Sequence, residues 1–218
     1  MINIFLIFGD SYSAHKSYIP NDHDFYYCDE GGDWGEPVTK MYADQMWWGH
    51  LIKNTDAKLI RNDSWSGAAI GYTGYSGDCS ETSSFICRYH KLAETGFFNE
   101  NHIDTILIFG GTNDSWCQAP IGEEKYSDWE KEDLFSALPA ICYFIDVLKK
   151  DHPDKRIIFL INCDSIKTEI IECIKNASKR IGIEFVELKN IDKLTKHPTV
   201  TGMEQIYCQL MAYLKSQN

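Results

Sequence analysis

The sequence predicts an α/β fold in three layers (α/β/α), with a parallel, doubly wound sheet between two layers of helices. Short apolar runs rich in Ile, Leu and Phe alternate along the chain with segments of helical periodicity. Each run is apolar almost throughout, which is typical of strands that are buried on both faces. Strands that alternate with helices form parallel sheets, because each helix carries the chain back across the sheet. We expect one domain over residues 1–218.

Five apolar runs are the predicted strands, and helical periodicity separates and follows them. The strands are predicted at 2–8, 57–62, 103–110, 156–162 and 183–188. The helices are predicted at 42–54, 82–95, 130–151, 165–181 and 201–215. For the last helix we also predict a capping box, in which Thr201 and Glu204 satisfy the first free N–H groups.

Composition excludes several classes of protein. The net charge of -11 argues against binding to nucleic acid, which needs basic surfaces. The sequence contains no apolar run of about 18 residues, so we expect no membrane span. The apolar run at the N-terminus lacks a preceding basic segment and leads directly into Gly-Asp-Ser, so we interpret it as a core strand and not as a signal peptide.

The chain has eight cysteines and none of them forms a C-x-x-C pair. Several lie in apolar segments, where a free thiol behaves as a small hydrophobic group. This usage favours a reducing compartment, and we expect a cytoplasmic protein without a disulfide framework. No Cys and His residues have the spacing of zinc ligands, so no metal is expected.

Three connections are unusually long, and all of them follow predicted strands at the carboxyl edge of the sheet: 14–41, 66–81 and 113–129. Long irregular loops in a compact domain are usually functional. We expect most of their aromatic side chains to pin the loops onto the core, and Trp116, which is close to Asn113, to contact substrate. The aromatic residues are Tyr26, Tyr27, Trp34, Tyr72, Tyr75, Trp116, Tyr126 and Trp129.

Four polar blocks stand where predicted strands end. They are GDS at 9–11, NDSWSG at 62–67, GGTND at 110–114 and KHPTVTG at 196–202. In the strand order 2-1-3-4-5, strands 2, 1 and 3 are neighbours, so the first three blocks would lie side by side. The loop before the fourth block can extend across the roughly 14 Å that separates it from the first strand.

These blocks contain the groups that acyl transfer requires. Ser11 is the candidate nucleophile, and His197 is the candidate base that takes the proton from its hydroxyl. The N–H groups of Ser11 and Gly67 and the side-chain amide of Asn113 are candidate donors to an oxyanion. Asp10 and Asp114 flank these motifs, and we interpret both as residues that stabilise turns.

The four blocks resemble those of the SGNH or GDSL-type hydrolases, which carry Ser, Gly, Asn and His in this order. Ser11, Gly67, Asn113 and His197 match the four positions, and the resemblance covers Phe5 to Leu214. The resemblance implies a flavodoxin-like fold and serine ester hydrolysis without a cofactor. It also implies substrates among acylated sugars, lipids and thioesters.

One position departs from the family pattern, in which an acid stands three residues before the histidine. Leu194 occupies that position here, and Asp192 is the nearest acid in the chain. Either Asp192 orients the imidazole of His197, or a backbone carbonyl does so and the site is a Ser–His dyad.

The sequence therefore predicts a serine esterase that acts on a small-molecule ester, with small acyl groups on a carbohydrate as the favoured substrate. The acidic, aromatic-rich loops motivate this choice of substrate. A lipase or thioesterase acting on longer chains is an alternative within the same class. A relative that binds carbohydrate without catalysis is an alternative of another class, and the missing acid favours it.

Overall fold

The structure is a computed structural model that describes residues 1–31, 39–164 and 166–217. Trp34, one of the loop aromatics singled out above, lies outside the described residues. The central sheet consists of β1 (Ile4–Gly9), β2 (Lys58–Ser64), β5 (Thr105–Phe109), β6 (Arg156–Asn162) and β7 (Glu184–Leu188). Two small hairpins are made by β3 (Thr73–Gly74) with β4 (Gly77–Asp78) and by β8 (Lys193–Leu194) with β9 (His197–Pro198).

The five strands of the central sheet are parallel and lie in the order β2-β1-β5-β6-β7. Counted without the two hairpins, this is the predicted order 2-1-3-4-5. β1 therefore lies between β2 and β5, and Gly9 at its end pairs with Ser64 and Phe109. The loops that follow these three strands leave the sheet next to one another.

Helices cover both faces of the sheet, so the predicted three-layer α/β/α fold is confirmed. The helices are α1 (Trp47–Asn54), α2 (Phe85–Glu94), α3 (Phe97–Glu100), α4 (Thr112–Trp116), α5 (Ala137–Asp151), α6 (Thr168–Ile181) and α7 (Val200–Ser216). Leu6 and Phe8 of β1 share a core with α2, α5 and α6. Phe5 and Ile7 point to the opposite face and share a core with α1 and α7. This alternation follows from the two-residue period of a strand.

Two details of the helices differ from the prediction. α7 begins at Val200, and the hydroxyl of Thr199 caps it by accepting from the N–H of Gly202 at 3.2 Å. The predicted capping box of Thr201 and Glu204 is wrong, because both residues already lie inside the first turns of the helix. Asn113, predicted in a loop, lies in the short helix α4, which begins where Gly111 adopts a φ of +86°.

A buried ion pair links strand ends close to the site. Arg88 of α2 donates to the Asp63 carboxylate at 2.7 Å and also to the carbonyl of Gly9 at 3.2 Å. Arg61 reaches the same carboxylate from the surface at 2.8 Å. Arg88 therefore joins the carboxyl ends of β1 and β2 through one guanidinium group.

All eight cysteines are free thiols, and the sulfur atoms of Cys142 and Cys173 lie 3.7 Å apart in the core. Within the described residues, none of the helices combines the length and the apolar character that crossing a membrane requires.

Candidate active site

The turn that carries Ser11 follows β1 directly, and it requires a glycine at Gly9. A Cβ on Gly9 would lie 2.7 Å from the Cβ of Ser13 and closer still to the hydroxyl of Ser64. The carboxylate of Asp10 accepts a hydrogen bond from the N–H of Tyr12 at 2.9 Å, which closes the turn over Ser11 as the sequence predicts.

Ser11 and His197 are brought into hydrogen-bond contact although 186 positions separate them in the chain. Nε2 of His197 lies 3.0 Å from Oγ of Ser11. Nδ1 of the same ring lies 3.3 Å from the carbonyl oxygen of Thr195. A carbonyl can only accept, so this contact favours the tautomer with the proton on Nδ1. In that tautomer Nε2 is the acceptor for the Ser11 hydroxyl.

Asp192, the candidate acid, is exposed and forms hydrogen bonds with residues other than His197. Its carboxylate accepts from the hydroxyl of Thr199, and its N–H donates to Oε1 of Gln205 at 2.7 Å. The structure thus places the Thr195 carbonyl, rather than the Asp192 carboxylate, against Nδ1 of His197. Asp192 instead holds the start of α7 to the segment before the β8–β9 hairpin, because its carbonyl also accepts from the Thr199 N–H at 3.1 Å.

Asn113 is buried at the start of α4, with its side-chain amide held at both ends. Nδ2 donates to the carbonyl of Ala68 at 2.9 Å, and Oδ1 accepts from the hydroxyl of Tyr75 at 3.1 Å. The Ala68 carbonyl can only accept, so it fixes which end of the amide is nitrogen. Nδ2 has a second hydrogen, which remains for another acceptor.

Two backbone N–H groups at the site have no hydrogen-bond partner among the residues that the structure describes. Neither Ser11 N nor Gly67 N donates to a group within residues 1–31, 39–164 and 166–217. Gly67 has a φ of +79°, a conformation that glycine adopts without strain. Unused donors of this kind can bind an anionic oxygen.

The loop that contains Gly67 is held to α4 by Asp114. The buried carboxylate of Asp114 accepts from the N–H groups of Ile70 at 2.9 Å and Gly71 at 3.1 Å. Burial raises the pKa of this carboxyl, and the two backbone hydrogen bonds act in the opposite direction. Asp114 therefore stabilises a loop, as the sequence predicts, and it fixes the loop after β2 relative to Asn113.

Aromatic rings surround the imidazole of His197. Tyr26 stacks on it with ring centroids 3.7 Å apart and planes 14° apart. Tyr12 and Trp116 present their rings at 5.6 Å and 6.1 Å and at steep angles. Tyr26 is among the aromatic residues of the long loops, but its position in the sequence does not connect it with His197. No sequence signal pairs the two, because a long loop brings Tyr26 back to the turn.

A cavity of about 620 Å³ opens in front of these groups. Ser11, Gly67, Asn113, Trp116 and His197 all line it, so the structure brings five of the six predicted site residues together. The remaining lining comes mainly from the loops after β1 and β2, including the β3–β4 hairpin. This part of the lining consists of Asp24, Tyr26, Trp65, Ser66, Gly74, Tyr75, Ser76, Gly77, Asp78, Cys79, Thr82 and Ser83.

A serine hydroxyl, an imidazole and a cluster of amide donors thus lie together at the carboxyl edge of a three-layer fold, an arrangement that can carry out acyl transfer. The comparisons with known proteins identify the family. The profile of the family GDSL-like Lipase/Acylhydrolase matches residues 3–214, and the chain belongs to this family.

Solved structures with similar folds include two from Bacteroides. A protein from Bacteroides ovatus, described as a GDSL-like lipase, has 36% sequence identity and a TM-score of 0.88, and the match covers 99% of each chain. Its counterpart from Bacteroides uniformis has 34% identity and a TM-score of 0.84, with 99% of this chain and 96% of that chain covered.

A family two carbohydrate esterase from Clostridium thermocellum, solved in complex with cellohexaose, shares the fold at 18% identity and a TM-score of 0.63. That match covers 99% of this chain and 64% of the esterase. No curated protein matches the chain.

Proposed function

We propose that the protein is a serine esterase in which Ser11 is the nucleophile and His197 the general base. The contact of 3.0 Å between Ser11 Oγ and His197 Nε2 carries this proposal. Ser11 attacks the ester carbonyl while Nε2 accepts the hydroxyl proton, and the imidazolium then protonates the leaving alcohol. The Thr195 carbonyl keeps the proton of the neutral ring on Nδ1.

The oxyanion that forms on the ester is bound by three donors in this proposal. They are the N–H groups of Ser11 and Gly67 and the second hydrogen on Nδ2 of Asn113. Their support is that all three residues line the cavity and that both N–H groups lack a partner among the described residues. Donors that are fixed before the reaction stabilise the transition state without rearranging.

The acyl group is then transferred to water. Nε2 of His197 takes a proton from a water molecule that attacks the ester between the acyl group and Ser11. Ser11 leaves with that proton and the carboxylic acid is released, so the enzyme returns to its starting state. The chain acts as one domain in this proposal, since the groups come from both ends of the sequence.

Small acyl groups on a carbohydrate are the proposed substrate. The residues that line the cavity include three aromatics, Trp65, Tyr75 and Trp116, and two acids, Asp24 and Asp78. Aromatic faces pack on sugar rings, and carboxylates accept hydrogen bonds from sugar hydroxyls. The family two carbohydrate esterase that binds cellohexaose has the same fold, which is in keeping with this choice.

Hydrolysis of p-nitrophenyl acetate by the wild type and by Ser11→Ala tests the mechanism. We expect Ser11→Ala to abolish hydrolysis and to lose labelling by a fluorophosphonate probe. Ser17→Ala, an exposed serine of the following loop, is the control and keeps both. A wild type that neither hydrolyses esters nor reacts with the probe would instead support a relative that binds carbohydrate without catalysis.

The substrate class is tested with a panel of acetylated sugars and a chain-length series of nitrophenyl esters. We expect acetyl esters to have the highest kcat/KM. A kcat/KM that rises steadily with chain length would contradict the carbohydrate proposal and favour a lipase or thioesterase.

A further inference from the structure

The carbonyl groups on both sides of His197 are held by tyrosine hydroxyls. Tyr12 donates to the carbonyl of Lys196 at 2.5 Å, and Tyr27 donates to the carbonyl of Pro198 at 2.8 Å. Both tyrosines are buried, so water competes little for these hydrogen bonds. Burial also raises the pKa of the Tyr12 phenol, which therefore remains a donor at neutral pH.

The turn between β8 and β9, which precedes His197, has backbone φ values that its residues do not favour. Thr195 and Lys196 join β8 to β9 with φ values of 49° and 71°. A two-residue hairpin turn with two positive φ values normally contains Asn and Gly. Thr is β-branched and rarely adopts a positive φ. The hydrogen bonds from Tyr12 and Tyr27 therefore hold a turn whose φ values its own residues disfavour.

The third tyrosine acts on the ring itself. Tyr26 stacks on the imidazole of His197 at 3.7 Å and limits its rotation. The face of an aromatic ring also attracts a cation, and the imidazole becomes a cation when it accepts the Ser11 proton. Orienting the imidazole and stabilising the imidazolium are the two functions of the acid in a Ser–His–Asp triad.

The same segment of chain that carries Ser11 supplies all three tyrosines. Tyr12 directly follows Ser11. The N–H groups of Tyr26 and Tyr27 both donate to the carbonyl of Ala14, at 3.3 Å and 3.2 Å. The loop after β1 is thereby folded back onto the Ser11 turn, and it connects the nucleophile physically to the histidine.

We propose that Tyr12, Tyr26 and Tyr27 are positioning residues that, together with the Thr195 carbonyl at Nδ1 of His197, replace the acid of the triad. They hold His197 in line with Ser11, and the chain accordingly has Leu194 at the position of the missing acid. This inference rests on the proposed function, in which His197 is the base.

Variants of Tyr26 test the stacking contact with p-nitrophenyl acetate as substrate. Tyr26→Leu removes the ring, and we expect kcat to fall by ~10–100-fold with KM within ~3-fold of the wild type, the usual loss when a catalytic group is misplaced. Tyr26→Phe keeps the ring and is expected to retain kcat within ~3-fold. Tyr18→Leu is the matched control, because Tyr18 lies in the same loop and packs against Trp48 instead, with ring centroids 4.8 Å apart and planes 50° apart.

Variants of the other two tyrosines test the carbonyl contacts. Tyr12→Phe and Tyr27→Phe each remove one hydrogen bond, and each is expected to lower kcat by ~3–10-fold. Tyr213→Phe removes a phenol hydrogen bond of 2.9 Å to Glu184 away from the cavity, and kcat is expected to remain unchanged. Melting temperatures establish that every variant compared is folded.

Ser11→Ala in the same series separates this inference from the proposed function. If Ser11→Ala is inactive while Tyr26→Leu, Tyr12→Phe and Tyr27→Phe keep the full kcat, the positioning role is overturned and the esterase mechanism stands. If Ser11→Ala retains activity, both are overturned. A rise in KM alone for Tyr26→Leu would make Tyr26 a substrate contact and would also overturn the positioning role.

Discussion

The hydroxyl of Tyr75 donates a hydrogen bond of 3.1 Å to Oδ1 of Asn113. Tyr75 lies at the tip of the β3–β4 hairpin with 58% of its surface exposed, so this contact joins a surface loop to a buried amide. Partial desolvation raises the pKa of the phenol to about 12, so the hydroxyl is protonated and able to donate at neutral pH. Donation to the carbonyl end of an amide strengthens its N–H groups as donors.

Tyr75→Phe is therefore expected to lower kcat by ~3–10-fold, the effect of about one hydrogen bond. KM should change little, because the ring at the cavity wall remains. Steady-state kinetics with p-nitrophenyl acetate measure both. An unchanged kcat would show that the Tyr75 hydroxyl does not influence the amide.

Asn113→Ala is expected to reduce kcat by about 10²–10³-fold, the usual loss for one oxyanion donor. Asn113→Asp preserves the size of the side chain but replaces the donor with an acceptor, and its kcat should be at least as low. Single-turnover kinetics distinguish a slower acylation of Ser11 from a slower hydrolysis of the acyl-enzyme. Full activity in the aspartate variant would exclude Asn113 as a donor to the oxyanion.

Asp10 makes stability dependent on pH. Burial, with a smaller contribution from Asp114, raises the pKa of its carboxyl from 3.8 to about 7, although Arg88 and the Tyr12 N–H act in the opposite direction. Oδ2 of Asp10 has no hydrogen-bond partner among the described residues. The folded state therefore binds a proton more tightly than the unfolded state. Protonation of Asp10 therefore stabilises the folded state, and this contribution is complete below pH 3.8 and is lost as the pH rises through about 7.

Asp10→Asn removes this titration while keeping an acceptor for the Tyr12 N–H. From pH 4 to pH 8 the free energy of unfolding of the variant, minus that of the wild type, should increase by on the order of 4 kcal/mol. Urea denaturation of both proteins at several pH values measures this difference. A difference that is constant with pH would contradict a raised pKa for Asp10.

The two arginines that bind Asp63 should differ in their effect on stability. Arg88 has 3% of its side chain exposed and Arg61 has 34%. Arg88→Leu leaves a buried carboxylate without its main partner and is expected to cost about 3–5 kcal/mol in the free energy of unfolding. Arg61→Leu is the matched control and should cost about 0–1 kcal/mol. Equal effects would show that burial of the pair does not determine its contribution.

Much of the fold was predictable because it depends on local pattern. The strands of the central sheet are apolar runs and the longer helices have clear periodicity, so these five strands, their order in the sheet and five of the seven α-helices described could be predicted. Helix ends were less predictable, as Thr199 and Thr201 illustrate, because either threonine can cap a helix and the position of β9 decides between them. Ser11, Gly67, Asn113 and His197 could be proposed as site residues because each stands in a motif that follows a predicted strand, and the structure places all four around one cavity.

The sequence by itself determined the sheet, its carboxyl edge and the four blocks that lie there, because strand periodicity and motif order are properties of neighbouring residues. Only the tertiary structure decided what surrounds His197: the Thr195 carbonyl at Nδ1, the ring of Tyr26 on its face and Asp192 turned toward Thr199. The physical reason is that these contacts depend on how long loops fold back across the sheet. Hydrogen bonds and packing between distant segments determine that path, and no local pattern encodes it.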